Sequence, residues 1–451
     1  MVAIIKSGDE YRIIDPFYTG EWIVDEHFIT CYLTCLYHAF DREKLHASGY
    51  GESELDELLH IIEEREISKK CDFDANVVLK RLPNAPDGII TPPVPIFEIL
   101  TECNYRCPWC YLPPDSASSR KESPLTLGEI RKNVVQPLVE IGCNYWTLTG
   151  GEPSLNMRRL TDVCQIIHDE SRGVVRDEKI MLLTNGSHLE KLAAQYRNLG
   201  IFHVQVSMTS PDHKRDSTLR GVPKTLDSVE EIRKGVIEAV KQGIVISFNV
   251  VLVPDREGMS TNIYEIPEIA TFVDEIGVRM VRFVPVVYSG KARVNEWALN
   301  LDQLKEARKQ IEKAAHIVKD TIIYSPIGYE VPPEKPVFCR AGNEVLYIDT
   351  GGLVYPCNNL IVPDMLCSEH STKKAPLDEI WFHSELLKEL RISKDVCEEC
   401  LKCDIRTECG GQCRAVCWLR YGQIDLSSKP ITCLRDQSSS HSKEVKKNEV
   451  C

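Results

Sequence analysis

The stretch Ile96-Phe97-Glu98-Ile99-Leu100-Thr101-Glu102-Cys103-Asn104-Tyr105-Arg106-Cys107-Pro108-Trp109-Cys110 decides how the rest of the chain is read. Its first five residues are apolar except for Glu98, the composition of a buried strand. The strand runs straight into a C-x3-C-x2-C loop. Three thiolates so close together can curl around three corners of a cubane iron-sulfur cluster and leave the fourth iron without a protein ligand. An open metal position serves catalysis, whereas a closed one serves structure. A three-cysteine zinc loop is the plainer alternative.

Outward from this stretch, a strand-then-helix pattern repeats six times up to about residue 319. Strands are expected at 96–100, 145–149, 179–184, 203–208, 244–253 and 280–287, with helices at 125–140, 156–170, 189–198, 229–242 and 266–276. Short β-rich segments separated by helices predict parallel strands joined by right-handed crossovers. Six units are too few to close an eight-unit barrel, so the fold class is α/β: a partial (β/α)6 barrel over 96–320. Its chemistry belongs at the C-terminal ends of the strands. Residues 1–82 read as a hairpin around Ser7-Gly8 followed by helical patterns at 28–40 and 53–66, a small α+β module of winged-helix type. Five prolines between Pro83 and Pro95 predict a linker over 83–95. A cysteine-rich C-terminal domain is expected over 321–436, and the polar residues 437–451 are expected to be a disordered tail.

The composition agrees with an ordinary globular chain. Of 451 residues, 43% are hydrophobic and 27% charged, which excludes collagen-like and low-complexity classes. No apolar run approaches the roughly 20 residues a membrane span needs. The net charge of −13 offers no footprint for nucleic acid. The N-terminus lacks the features of a secretory signal, so a cytoplasmic location is expected. In that reducing compartment, 19 cysteines point to metal rather than to disulfides. Cys31, Cys35, Cys71, Cys143 and Cys164 read as core thiols, and Cys451 as a stray one.

The C-x3-C-x2-C loop in this setting resembles that of the radical S-adenosylmethionine enzymes. The resemblance implies a [4Fe-4S] cluster on Cys103, Cys107 and Cys110 whose open iron chelates S-adenosylmethionine. Gly150-Gly151-Glu152-Pro153, after the second barrel strand, is similar to the family's GGE motif, which binds the methionine amino group. Asn185 after the third strand and Ser207 near the end of the fourth resemble ribose and methionine contacts. Arg220 resembles an arginine that pairs with the cofactor carboxylate, and Trp109 an aromatic that packs near the adenine. Taken one at a time these are a glycine turn, an Asn-Gly turn, a strand-end hydroxyl, a solvated charge and a buried anchor. Their weight comes from their order at successive strand ends.

The second cysteine field is Cys339, then Gly352 and Cys357, then Cys400-x2-Cys403-x5-Cys409-x3-Cys413, and finally Cys433. This series resembles the SPASM domain, which implies two auxiliary [4Fe-4S] clusters and three in all. By that resemblance Cys400, Cys403, Cys409 and Cys433 close the outer cluster, while Cys339, Cys357 and Cys413 hold the inner one, leaving an open or exchangeable site there. Cys367, Cys397 or Cys417 could close the site instead, and a zinc ribbon is the alternative for the whole field. The combination resembles radical enzymes that mature ribosomally made peptides. It implies a thioether crosslink in a precursor peptide, a leader held by residues 1–82 through strand addition, and an electron donor such as ferredoxin or flavodoxin. A module that merely caps the barrel is the alternative for 1–82. For the activity, the alternatives are a sulfatase-type maturase that oxidises Cys or Ser to formylglycine and a non-catalytic electron-transfer or binding scaffold.

Overall fold

The computed structural model describes residues 2–15, 20–113, 123–176, 178–223, 225–325, 339–392 and 413–421. The chain opens with three antiparallel strands, β1 (Ala3–Ser7), β2 (Glu10–Asp15) and β3 (Gly20–Val24). Helices Glu26–Tyr37, Arg42–Ala47, Glu52–Glu64 and Ala75–Arg81 follow. Asp25, Asp41 and Asp74 cap three of them by accepting backbone N–H groups of the first turn. A short strand, β4 (Gly88–Ile89), returns to pair with β1, so the sheet order is β3-β2-β1-β4. Period-two alternation sends Val2, Ile4, Tyr11 and Ile13 into a core shared with the module's helices. The opposite face, carrying Ala3, Ile5, Ile14 and Ile89, joins the main core of the molecule.

The proline-rich run 83–95 is therefore not a free linker. It contributes β4 to one sheet, and at Val94 it begins the first barrel strand. Pro95 lies inside that strand, which starts at Val94, two residues before the expected start at Ile96.

That strand is β5 (Val94–Leu100), and the five that follow are β6 (Tyr145–Gly150), β7 (Lys179–Thr184), β8 (Ile201–Met208), β9 (Val245–Leu252) and β10 (Met280–Pro285). All six pair in parallel with their sequence neighbours, as the repeat requires. Three further strands extend the sheet: β11 (Ile322–Tyr324) on β10, and β12 (Val345–Ile348), parallel to β5, with β13 (Val354–Tyr355) on its far side. The nine-stranded order β11-β10-β9-β8-β7-β6-β5-β12-β13 is open, a partial barrel with two ends. The expected helix at 125–140 is broken by a π turn at Ile130–Val135, immediately before Pro137, which has no N–H to continue an α ladder.

Alternation along the strands divides the sheet into two environments. Phe97, Ile99, Trp146, Leu148, Val206 and Phe248 face the helices and form the core. The other face is mixed: polar Glu98, Thr147, Gln205, Ser207, Asn249 and Arg282 share the intervening positions with apolar Ile96, Met181, Leu183 and Val251. Among the described residues no helix is long and apolar enough to cross a membrane.

The module is tied to the barrel by polar contacts at Asp74 as well as by apolar burial. Its Oδ1 accepts from Asn76 N (2.9 Å) and Val77 N (3.1 Å), its Oδ2 accepts from Arg176 N (3.0 Å), and its own N–H donates to Gly142 O (2.8 Å). Asp74→Ala should cost about 1–2 kcal/mol through the lost cap alone. Asp74→Asn, which keeps an acceptor, should recover most of it. Thermal unfolding of the three proteins checks this ordering.

Candidate active site

The cysteine loop is held on three sides, each by a different part of the barrel. At its start, Gly151 N donates to Leu100 O (2.7 Å) and Glu152 N to Glu102 O (2.8 Å), so the segment after β6 runs alongside the segment after β5. A Cβ at Gly151 would overlap the carbonyls of Thr101 and Glu102, which is why glycine stands there. In the middle, Arg106 N donates to Arg220 O (3.2 Å) and Gly221 O (3.1 Å). Gly221 ends helix His213–Arg220 at φ +60°, and a Cβ there would lie 2.6 Å from Arg106 O. At its end, Cys110 O accepts from Lys291 N (2.8 Å), Pro108 O from Asn295 Nδ2 (2.6 Å), and Leu219 O from Trp109 Nε1 (3.1 Å).

Behind the loop lies a fully buried ionic frame. The Glu152 carboxylate accepts from Ser154 N (3.0 Å), the Thr184 hydroxyl (2.9 Å) and Asn185 N (2.7 Å). Arg220 donates through Nη2 to Asn185 O (2.6 Å) and through Nη1 to Asp216 (3.1 Å), and its guanidinium stacks 4.9 Å from the Tyr105 ring centroid. Asp216 also accepts from Thr209 and Ser228. Neither Glu152 nor Arg220 has exposed surface, and the bonds just named direct both inward to protein partners. Held at both backbone poles, Asn185 turns its side chain to the loop: Nδ2 donates to Asn104 Oδ1 (2.7 Å) and lies 3.9 Å from Cys103 Sγ.

The three thiols share one environment. Burial pushes Cys107 up to about 12; Arg220 opposes this, while neighbouring Cys110 and Cys103 add to it. Burial likewise pushes Cys110 up to about 11 and raises Cys103. Crowded soft donors in a desolvated pocket fit an iron-sulfur cluster, whose irons supply the positive charge that thiolates need here. Ser207 stands apart from this cluster of contacts, on the polar face of β8 opposite Asn249 of β9. Asn104 and Asp216 were not singled out from the sequence. Asp216 could have been, since it lies one helical turn before Arg220.

A second group of thiols gathers next to the sheet's extension. Burial raises the Cys357 thiol strongly, and the nearby Cys339 and Cys413 thiols raise it further. Cys367 is not part of this group: it is buried in the main core, and its charged neighbour is Arg391. Cys397, Cys400, Cys403, Cys409 and Cys433 lie outside the described residues, as does the side chain of Cys417. The two groups are bridged by packed aromatics. Tyr111, next to Cys110, meets Tyr347 at 6.3 Å between centroids, and Tyr347 meets Tyr355, two residues before Cys357, at 6.4 Å. The Tyr347 hydroxyl donates to the buried Glu98 carboxylate.

Asp216→Asn should destabilise the protein by about 3–5 kcal/mol, because it leaves Arg220 buried without its charge partner. Asp212→Ala removes only the exposed cap of the same helix and should cost about 1 kcal/mol. Denaturant unfolding of both variants measures the difference.

The chain matches two family models, the radical SAM superfamily at residues 97–258 and an iron-sulfur cluster-binding domain, SPASM, at 339–404. It is 30% identical over 267 residues to GTP 3′,8-cyclase of Vibrio atlanticus, spanning 56% of this chain and 74% of the relative. It is 26% identical over 345 residues to the PqqA peptide cyclase of Methylorubrum extorquens, spanning 73% and 82%. Among solved structures, Streptococcus suis SuiB bound to the precursor peptide SuiA superposes with a TM-score of 0.60 at 14% identity, over 95% of this chain and 98% of that one. anSMEcpe with bound AdoMet superposes with a TM-score of 0.58 at 16% identity, over 77% and 95%. With three thiols set at the C-terminal end of the first barrel strand and an iron-sulfur domain grafted onto the same sheet, the chain belongs to the radical SAM superfamily of enzymes.

Proposed function

We propose that this enzyme forms a crosslink, a thioether in the leading reading, in a ribosomally made precursor peptide. The observation that carries the reading is the docked N-terminal module with strand β3 at the edge of its sheet, beside the barrel. Ile23 on β3 is 59% exposed, an apolar side chain on the strand where a leader would add. Two likenesses support it: SuiB with its bound precursor peptide matches this module as well as the barrel, covering 95% of the chain, and the PqqA peptide cyclase is a sequence relative. Residues 1–82 are then the leader-binding module, 96–320 the barrel and 321–436 the auxiliary-cluster domain.

Cys103, Cys107 and Cys110 would hold the catalytic [4Fe-4S] cluster, which with S-adenosylmethionine supplies a 5′-deoxyadenosyl radical that abstracts a substrate hydrogen. Trp109, Gly150, Gly151, Asn185 and Ser207 would line the cofactor. Glu152 and Arg220, directed inward, would keep Asn185 and the loop in place. The barrel's task is to hold the substrate carbon near the radical and exclude water. Cys339, Cys357 and Cys413 would hold an inner auxiliary cluster with an exchangeable position for a substrate thiolate, and Cys400, Cys403, Cys409 and Cys433 an outer one, with ferredoxin or flavodoxin as electron source. Formylglycine formation is the less favoured reading, because it gives the N-terminal module no task.

Anaerobically reconstituted protein should hold about twelve irons, and replacing Cys339, Cys357 and Cys413 by Ala should remove about four. Iron analysis checks both values; a wild-type content near four would overturn the three-cluster assignment. For the module, Trp22→Pro and Ile23→Pro place an imino acid at successive positions of β3. The variant whose N–H faces the open edge should still cleave S-adenosylmethionine, yet modify a leader-bearing peptide at least about tenfold more slowly. Mass spectrometry of a serine-free peptide reads the product: loss of two hydrogens together with loss of the alkylatable cysteine thiol marks a thioether, and exchange of sulfur for oxygen with loss of two hydrogens marks formylglycine made from cysteine. Unchanged modification by both variants reduces the module to a cap.

A further inference from the structure

We infer that His27, Cys31 and Glu54 form a zinc site in the N-terminal module, separate from every iron-sulfur cysteine. Cys31 reads as a core thiol from its sequence, yet the fold gives it two ligand-type neighbours. His27 and Cys31 lie four residues apart on helix Glu26–Tyr37, so they share one face a single turn apart. Glu54 comes from the first turn of helix Glu52–Glu64, which packs against that face. His27 Nε2 is 3.7 Å from Cys31 Sγ and 3.4 Å from Glu54 Oε1, and all three ligand atoms lie within 4.8 Å of one another.

The two His27 separations are close to the edges of a coordination tetrahedron. With Zn–S near 2.3 Å and Zn–N and Zn–O near 2.1 Å, neighbouring ligand atoms in tetrahedral geometry stand roughly 3.4–3.6 Å apart. Direct hydrogen bonding accounts for the arrangement less well. The Cys31 thiol also meets the Tyr50 hydroxyl, but a single Nε2 carries either one N–H or one lone pair in the ring plane and serves only one of the carboxylate and the thiol at a time. An ion between the three serves all of them at once. One thiolate, one carboxylate and a neutral imidazole balance a dication, and the mixed S, N and O set suits zinc rather than magnesium or calcium. Cys31 is buried, Glu54 half-buried and His27 exposed, so the fourth position opens to solvent on the His27 side and would take water. An ordinary thiol is protonated at neutral pH and ligates as the thiolate, so binding releases that proton to the buffer. The site would clip together the two helices behind the β3 sheet and stiffen the module, whatever the module binds.

The test uses the full chain with its iron-sulfur clusters loaded, titrated anaerobically with Zn²⁺ by calorimetry in two buffers of different ionisation enthalpy. Wild type should bind one zinc with release of a proton, and its thermal midpoint should rise. His27→Ala and Glu54→Gln should each lower affinity by at least about tenfold, with iron content unchanged. His27 is 74% exposed at its side chain, so its replacement should leave the zinc-free midpoint where it was. Cys31→Ser should lose the proton release as well as affinity. Superposable isotherms for wild type and His27→Ala, or zinc uptake that displaces iron, would overturn the assignment.

Discussion

Two buried charges grip the two backbone poles of one residue, and the geometry of the site depends on that grip. Glu152 takes the N–H of Asn185 and Arg220 donates to its carbonyl, with bond lengths of 2.7 Å and 2.6 Å. Both charges are out of contact with water, where a charge-assisted hydrogen bond is strong and an unpaired charge is costly. The arrangement is therefore all or nothing. It joins the end of β6, the end of β7 and the helix after β8 into one rigid piece, and the Asn185 side chain passes that rigidity to the loop through Asn104. Arg220 acts a second time through its own carbonyl, which meets both Arg106 N and Cys107 Sγ.

The two thiol groups are placed relative to one another by the sheet. Because β12 pairs in parallel with β5, Tyr347 lies opposite Ile96, and Cys339 and Cys357 flank the β12–β13 hairpin in the chain. The auxiliary domain is thus an extension of the barrel's own sheet rather than an appendage. The aromatics Tyr111, Tyr347 and Tyr355 fill the space between, with Glu98 buried at their centre. A carboxylate on the inner face of β5 is the kind of residue that a strand reading records as an exception to its apolar pattern, and here the exception faces the enclosed, mixed side of the sheet.

The N-terminal module owes its position to strand alternation. One face of a small sheet builds the module's own core, and the other, through Ala3, Ile5, Ile14 and Ile89, is buried against the barrel. Such a sheet is apolar on both faces, which is why its first strand reads as a nearly continuous apolar run. Trp381 of the auxiliary domain adds a further tie by donating from Nε1 to Thr91 O (2.8 Å).

The order of the six barrel strands, the loop after the first of them and the placing of polar and glycine motifs after strands were all set locally, by apolar periodicity and residue spacing. These depend on residues within a few positions of each other, so a linear reading reaches them. The short strands β3, β4, β11 and β12, the pairing that turned a proline-rich run into sheet, and the Asp216–Arg220 frame were legible only in part or not at all. Two to five residues of strand carry too little pattern, and what stabilises them is a partner far along the chain: β4 finds β1, and β12 finds β5. The same holds for individual side chains. Sequence alone placed Glu152 and Asn185 just after strands and Arg220 just before Gly221, in a pattern that resembles a radical enzyme; only the tertiary structure decided that Glu152 and Arg220 turn inward to hold Asn185, because burial and the choice of hydrogen-bond partner are properties of packed neighbours and not of spacing.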